Sequence, residues 1–229
     1  MLRYFIVMLL LAACGKEPER TTSTTSTPAV AAKSFLALGD SYTIGQGVNA
    51  ADRFPAQTTA WLLQRGIIIN ALTYIATTGW TTTNLQTAIN TQNPVPHDVV
   101  TLLIGVNDQY QTRDTAGYRQ RFTTLLLKSI ELARGKKENV VVLSIPDYSI
   151  TPFAAGGDTA RIRTEIDWFN AINKSVTLSY NIHYLDITPS TREARTNPSL
   201  IAMDGLHPSA QEYKKWAERL SPLLEAVLK

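Results

Sequence analysis

The feature that most constrains this chain is an alternation of short apolar segments with longer helical segments, from Ser34 to the end. Strands of a parallel sheet are covered on both faces, so they are apolar along their whole length. The alternation therefore predicts an α/β fold, a three-layer α/β/α sandwich whose five-stranded parallel sheet has flavodoxin-like order. Strands are predicted at 35–38, 67–75, 98–104, 139–145 and 182–187, and the main helices at 54–65, 82–90, 115–133, 158–180 and 208–228.

The composition is that of an ordinary globular protein. Of the 229 residues, 44% are hydrophobic and 18% are charged, which suits one domain with a core and excludes wholesale disorder. The net charge is only +3, because 22 basic residues stand against 19 acidic ones. Such a balance gives no basic surface for nucleic acid, so we expect no nucleic-acid partner. No coiled-coil pattern is present, and we expect a monomer.

The first residues have the pattern of a bacterial export signal. A basic start at 1–3 precedes ten apolar residues at 4–13, and a membrane-spanning helix would need about 20. The apolar run ends in Leu-Ala-Ala-Cys-Gly at 11–15, which resembles a lipobox. This resemblance implies cleavage before Cys14, the only cysteine, and attachment of lipid to it. The alternative is an incidental thiol in an ordinary signal peptide.

Residues 15–33 are polar and rich in threonine and serine, which predicts a flexible tether. The expected organisation is a signal peptide at 1–13, the lipidated cysteine and tether at 14–33, and one folded domain at 34–229. We therefore expect an exported, membrane-anchored lipoprotein in the periplasm or at the surface of a bacterium. By resemblance to other lipoproteins, Gly15 in place of Asp favours the outer membrane.

Three histidines are candidates for a general base near neutral pH. His97 precedes a predicted strand and His183 lies inside one, whereas sites on parallel sheets form beyond the carboxyl ends of strands. His207 follows the last strand in Asp-Gly-Leu-His-Pro at 204–208. Asp204 can fold back to accept the Nδ1 proton of His207, which leaves Nε2 free to take a proton from a hydroxyl. Taken without Asp204, His207 could equally be a helix-capping residue.

Ser41 is the candidate nucleophile. It follows the first strand directly, in Gly-Asp-Ser-Tyr-Thr-Ile-Gly at 39–45, where Gly39 permits a tight turn. The alternative role for Ser41 is that of a helix N-cap. The segment is not the nucleophile elbow of the larger α/β-hydrolases, because Thr43 occupies the position of the second glycine in G-x-S-x-G.

Two further segments that follow strands can supply hydrogen-bond donors for an oxyanion. Gly79 follows the second predicted strand and offers a backbone N–H, and Asn107 follows the third and offers its side-chain amide. Each is an ordinary loop residue by itself. Their placement after successive strands predicts that they share one site with Ser41.

Together these segments resemble the four sequence blocks of the GDSL, or SGNH, hydrolase superfamily. The blocks occur in order over the part of the chain from 34 to 229: Gly39-Asp40-Ser41, Gly79, Gly105-x-Asn107-Asp108 and Asp204-x-x-His207. The first block departs mildly from G-D-S-L, since Tyr42 follows the serine. The resemblance implies the SGNH hydrolase fold, with Ser41 as nucleophile and His207 as base oriented by Asp204. It also implies that Ser41, Gly79 and Asn107 form the oxyanion hole.

The implied activity is that of a serine esterase that needs no cofactor. Scattered histidines, one cysteine and no H-E-x-x-H motif argue against a zinc site, so we expect no metal. Alternatives within the fold are a glycan O-deacetylase, a lysophospholipase or a thioesterase, with a small-molecule, glycan or lipid ester as substrate. An alternative outside enzymes is a non-catalytic surface lipoprotein that binds a glycan or a protein.

Five aromatic residues lie next to the predicted site segments. They can either line an acyl or sugar pocket or serve only in packing, and the sequence does not choose between these roles. They are Tyr42, Trp80, Tyr110, Tyr148 and Phe153.

Overall fold

The computed structural model describes residues 1–2 and 32–229 of the chain. Cys14, the rest of the predicted signal peptide and nearly all of the predicted tether lie outside the described residues. The strands are β1 (Lys33–Gly39), β2 (Ile69–Ala76), β3 (Val99–Leu103), β4 (Val140–Leu143) and β5 (His183–Leu185). The helices are α1 (Ser41–Ile44), α2 (Phe54–Gln64), α3 (Thr82–Gln92), α4 (Val106–Gln111), α5 (Thr115–Leu132), α6 (Thr159–Ser179), α7 (Thr188–Arg192) and α8 (Ala210–Leu228).

The five strands form one parallel sheet in the order β2-β1-β3-β4-β5, which confirms the predicted flavodoxin-like fold. Strands β3 and β4 are buried along their whole length, and β1 is buried over its last five residues. This burial explains why these segments are apolar in the sequence, with Thr101 in β3 as the one buried polar residue among them. Because β1 and β3 are neighbours, the chain leaves both at the same edge of the sheet.

The helices pack in two groups, α2 with α8 and α5 with both α3 and α6. Right-handed crossovers in a sheet of this order put the two groups on opposite faces. Aromatic pairs mark each core: the rings of Phe54 and Trp216 lie 5.9 Å apart, and those of Tyr118 and Phe169 lie 4.5 Å apart. Among residues 32–229, no helix has both the length and the apolar character that crossing a bilayer requires.

The structure differs from the predicted elements mainly at their ends. Strand β2 begins two residues later than predicted, because Gly66 (φ +78) ends α2 in a turn and the Ile67 N–H donates to the Leu62 carbonyl at 3.0 Å. The short helices α4 and α7 were not predicted. Each starts within three residues of the end of a strand, too close for a separate helical pattern to be visible.

Strand β1 ends in a turn that has no room for a side chain. A Cβ on Gly39 would lie less than 3.0 Å from Thr43 Oγ1 and from the Leu103 carbonyl oxygen. Without one, β1 stays close to β3 and the chain enters α1 at once. Asp40 caps this helix by accepting the Tyr42 backbone N–H at 3.0 Å.

We expect Gly39→Ala to lower the free energy of unfolding by about 1–3 kcal/mol, the usual cost of overpacking a filled site. Urea unfolding followed by circular dichroism measures this loss. Gly157→Ala is the control, since its Cβ would meet only the Ala154 carbonyl oxygen at 3.3 Å. Equal unfolding midpoints for the two variants would contradict the crowding at Gly39.

Candidate active site

Ser41 lies just beyond the carboxyl end of β1, as the first residue of α1. Its side chain is nearly buried, since the residue is only 5% exposed. Asn107 occupies the equivalent place after β3, as the second residue of α4. The neighbouring positions of β1 and β3 thus bring these two residues to one region, as predicted.

His207 and Asp204 form a hydrogen-bonded pair in a loop just before α8. Nδ1 of His207 lies 2.7 Å from Oδ2 of Asp204, and Oδ1 accepts the backbone N–H groups of Leu206 and His207, both at 3.0 Å. The loop is closed at its base, where the Ala202 N–H donates to the His207 carbonyl at 2.7 Å. A carboxylate at Nδ1 favours the tautomer that leaves Nε2 able to accept a proton.

The Asp204 carboxyl is held in its ionised form. Burial raises its pKa, but hydrogen bonds from the backbone N–H groups of His207 and Leu206 and from the imidazole outweigh this, and the pKa lies below the ordinary 3.8. Gly47 lies against the carboxylate, since a Cβ there would be 3.0 Å from Asp204 Oδ2. The glycine therefore leaves the space in which Asp204 meets His207.

The segment that contains Gly79 is fastened to α4. Nδ2 of Asn107 donates one hydrogen to the Trp80 carbonyl at 3.0 Å, and Nε2 of Gln111 donates to the Gly79 carbonyl at 3.0 Å. The first bond orients the Asn107 amide and leaves its second N–H for another acceptor. Gly79 has a left-handed backbone conformation (φ +83), which favours glycine.

Asp108 secures α4 from the other side. Its carboxylate accepts the Thr82 backbone N–H at 2.8 Å and the Thr82 hydroxyl at 2.6 Å, and it lies 3.4 Å from Nη2 of Arg121. Burial raises the pKa of Asp108, and these contacts oppose the rise. Asp108 thus links α4 to the start of α3 and to α5.

One open cleft of about 390 Å³ brings Ser41, Asn107 and His207 together. Asp204 reaches the cleft through His207. Gly79, which precedes the Trp80 that bonds to Asn107, is not among the lining residues. Among the described residues, the lining includes no Asp, Glu, Lys or Arg. Its remaining members are apolar or aromatic: Tyr42, Val106, Tyr110, Tyr148, Phe153 and Leu206.

Four of the five aromatic residues in question line this cleft, which favours the pocket-lining role for them. Trp80 does not line the cleft and is half-buried against the core. Val106 and Leu206 were missed by the sequence analysis, although they directly adjoin Asn107 and His207. The only sequence feature that points to them is their position as apolar residues directly before a predicted site residue.

The other two histidines lie away from the cleft. His97 is buried, with Nδ1 2.7 Å from the Val95 carbonyl, and His183 is exposed at the start of β5. In the part of the chain that the structure describes, no three His, Cys, Asp or Glu side chains are grouped so that they could hold a metal ion.

A model of the GDSL-like Lipase/Acylhydrolase family matches residues 37–215. The chain belongs to this family. The matched region contains Ser41, Gly79, Asn107, Asp204 and His207, and the family description is that of lipases and acylhydrolases. No curated protein is similar enough in sequence to match the chain.

Solved structures of GDSL-family proteins share the fold of this family member. A lipase/acylhydrolase from Enterococcus faecalis is 19% identical, with a TM-score of 0.65 over 86% of this chain and 97% of that chain. A lipolytic G-D-S-L family protein from Veillonella parvula is 21% identical, with a TM-score of 0.63 over 82% and 96%. An acetylxylan esterase from Geobacillus stearothermophilus is 19% identical, with a TM-score of 0.62 over 85% and 95%.

The aspartate of this GDSL protein's first block, Asp40, is fully buried beside Ser41. Its Oδ2 has no hydrogen-bond partner among the described residues. Burial raises the pKa of Asp40 from 3.8 to about 8, the hydrogen bond from Tyr42 opposes the rise, and the charge of Asp108 adds to it. Asp40 is therefore mainly protonated and uncharged at neutral pH.

This pKa makes stability depend on pH. Between pH 4 and 8 the folded protein keeps a proton that the unfolded chain has released, so the free energy of unfolding falls as pH rises through this range. Asn can accept the same Tyr42 N–H and does not ionise. We expect Asp40→Asn to unfold with nearly the wild-type free energy at pH 5, and to be more stable than wild type at pH 8.

Urea unfolding of both proteins at the two pH values measures this difference. Asp52→Asn is the control, because Asp52 is only partly buried and its carboxylate accepts from the exposed side chain of Asn49. A stability difference between Asp40→Asn and wild type that is the same at pH 5 and pH 8 would contradict the raised pKa of Asp40.

Proposed function

We propose that the protein is a serine esterase that hydrolyses carboxylic esters through an acyl-enzyme. One observation carries the proposal: His207, held at Nδ1 by Asp204, lines the same cleft as Ser41. A base that is oriented by a carboxylate and placed near a hydroxyl is the arrangement that activates a serine nucleophile. Membership of a lipase and acylhydrolase family supports the same reaction class.

In the first half of the reaction, the Ser41 hydroxyl oxygen attacks the ester carbonyl carbon while Nε2 of His207 takes its proton. The backbone N–H groups of Ser41 and Gly79 and the free N–H of Asn107 stabilise the negative charge on the carbonyl oxygen. The imidazolium, paired with the Asp204 carboxylate, then gives its proton to the departing alcohol. The acyl group remains bonded to Ser41.

Water completes the cycle by the same steps. His207 takes a proton from the water molecule, whose oxygen attacks the acyl carbon, and the same oxyanion donors stabilise the second tetrahedral intermediate. When the bond to Ser41 breaks, the imidazolium returns the proton to the serine oxygen. The carboxylic acid leaves, and the enzyme regains its starting state.

We expect residues 32–229 to hydrolyse p-nitrophenyl acetate, butyrate or octanoate, and Ser41→Ala and His207→Ala each to lower kcat by at least about 10³-fold. Release of p-nitrophenolate measures the rates, and thermal unfolding checks that the variants fold. Ser175→Ala and His183→Ala are matched controls on the exposed surface. Full activity in Ser41→Ala would exclude it as the nucleophile.

A wild-type protein that is inert on all three esters would point to other substrates. Release of acetate from an acetylated glycan would then identify a glycan O-deacetylase. Failure of a serine-reactive organophosphate to label Ser41 would instead favour the non-catalytic binding role.

We also propose that the protein is exported and anchored through lipid on Cys14, on the basis of the lipobox-like residues 11–15. In a bacterial host, we expect the full chain in the membrane fraction and Cys14→Ser outside it, because loss of the thiol removes the attachment point. Fractionation with metabolic labelling by a fatty acid measures both effects. An unlabelled, soluble wild-type protein would refute the anchor.

A further inference from the structure

Tyr148 reaches the cleft from the loop that follows β4, where it begins a short 3-10 turn, Tyr148–Ile150. Its side chain is held at the hydroxyl end, which donates to Oε1 of Gln109 at 3.0 Å. The residue is 4% exposed, and this hydroxyl contact fixes the direction in which the buried ring points. That contact comes from α4, the helix that also carries Asn107.

Gln109 is buried and bonded at both ends of its amide. Oε1 accepts from Tyr148, and Nε2 donates to Oε2 of Glu165 at 2.6 Å. The two contacts fix which way the amide faces, because only the nitrogen can donate to a carboxylate. Gln109 therefore links the cleft wall to Glu165, a residue 56 positions further along the chain on α6.

The carboxylate of Glu165 ends this link near the protein surface. The residue is 8% exposed, and the guanidinium groups of Arg113 and Arg161 lie near its two oxygens, with Nε at 3.6 Å from Oε2 and 3.7 Å from Oε1. A buried carboxylate is costly unless charge and hydrogen bonds compensate it, and here both are present. The buried polar chain Glu165–Gln109–Tyr148, which we call the relay, is thus satisfied at each step.

The relay holds a ring that is part of a larger wall. Tyr148, Tyr110 and Phe153 lie in mutual contact, with ring centroids 6.2–6.3 Å apart. The Phe153 N–H donates to the Gly205 carbonyl at 3.0 Å, so the wall is joined to the loop that carries His207. A displacement of Tyr148 would therefore disturb the aromatic surface from the oxyanion side to the base side.

The geometry of acyl transfer indicates which part of a substrate meets this wall. A tetrahedral carbon bonded to Ser41 has three other substituents: the oxyanion, the leaving oxygen and the carbon chain of the acyl group. The oxyanion faces the Asn107 side, and the leaving oxygen must face His207, which protonates it. The acyl group takes the remaining direction, toward the aromatic and apolar lining. Since this lining has no charged side chain among the described residues, it suits an uncharged acyl group.

We propose that Gln109 and Glu165 are positioning residues that set the preference for uncharged acyl groups larger than acetyl, by fixing the ring of Tyr148 in the cleft wall. The proposal rests on the esterase function proposed above. Acetyl is too short to depend on the wall, whereas butyryl and octanoyl groups extend along it. Loss of the relay therefore changes selectivity among acyl groups more than it changes the chemical step.

The test compares Gln109→Leu with wild type on p-nitrophenyl acetate, butyrate and octanoate. We expect the ratio of kcat/KM for octanoate to that for acetate to fall about tenfold, chiefly through KM, since misplaced apolar contacts are worth about 10–200-fold in specificity. The kcat on acetate should stay within about threefold of wild type. Gln120→Leu, the same exchange on the exposed surface of α5, is the control and should leave the ratio unchanged.

Two further variants keep the test decisive if Gln109→Leu folds poorly in thermal unfolding. Tyr148→Phe keeps the ring and removes only its hydroxyl, and we expect the ratio to fall about threefold. Glu165→Gln retains a carbonyl oxygen that accepts from Gln109, so it should keep the wild-type ratio, whereas Glu165→Leu should lower it as Gln109→Leu does. A purely structural role would lower all rates together and leave the ratio unchanged.

The outcomes separate this proposal from the one it rests on. If wild type hydrolyses the esters but Gln109→Leu and Tyr148→Phe keep the wild-type ratio, the relay does not set selectivity and the inference is overturned alone. If the variants keep the octanoate-to-acetate ratio but change the ratio of kcat/KM for p-nitrophenyl acetate to that for ethyl acetate, measured alongside, the wall binds the alcohol side and the acyl assignment is wrong. If wild type is inert on all three esters, this inference fails, whereas release of acetate from an acetylated glycan and organophosphate labelling of Ser41 still decide the proposed serine hydrolysis.

Discussion

The candidate site depends on the pairing of β1 with β3. Their register sets Gly39 opposite Leu103, so the two strands end at the same level and Ser41 and Asn107 follow them into one cleft. Backbone hydrogen bonds hold this register, but the chain can pack this closely where the strands end only at residues without a side chain. Gly39 is such a residue at the end of β1, and Gly105 is one after β3, where a Cβ would collide with buried side chains. The positions of the proposed nucleophile and oxyanion donor are thus set by the course of the backbone.

Buried carboxylates then fasten the segments that leave this edge. Asp108 ties α4 to the start of α3, Glu165 ties α4 to α6, and Asp147 joins the loop after β4 to Arg192 at 2.7 Å. Asp204, whose side chain is 31% exposed, does the same within a single loop, between backbone N–H groups and an imidazole. Each buried carboxylate of this set is compensated by hydrogen bonds or charge, as burial of an acidic group requires. Loops that would otherwise move are held to helices, so the cleft has a defined wall.

Local patterns were sufficient to predict the fold and to group the three residues of the cleft that carry the proposed chemistry. Fully buried strands are continuous apolar runs, and residues after successive parallel strands must meet at one edge, which is why Ser41, Asn107 and His207 could be grouped from the sequence. The contact between Gln109 and Glu165 could not be predicted, because it joins residues on two helices with no sequence pattern in common. Similarly, the short helices α4 and α7 lack the several turns over which helical periodicity becomes visible. The role of Cys14 stays a prediction.

The direction of β1 places the start of the folded domain far from the cleft. The strand enters the sheet at Lys33 and ends at Gly39, next to the cleft. These seven residues carry the chain about 23 Å along the strand direction, from the amino-terminal to the carboxyl-terminal end of the sheet. A natural anchor, an affinity tag or an immobilising support joined upstream of β1 would thus meet the domain at the edge opposite the cleft. Whatever holds the protein at that point therefore leaves the mouth of the cleft, at the other end of β1, unobstructed.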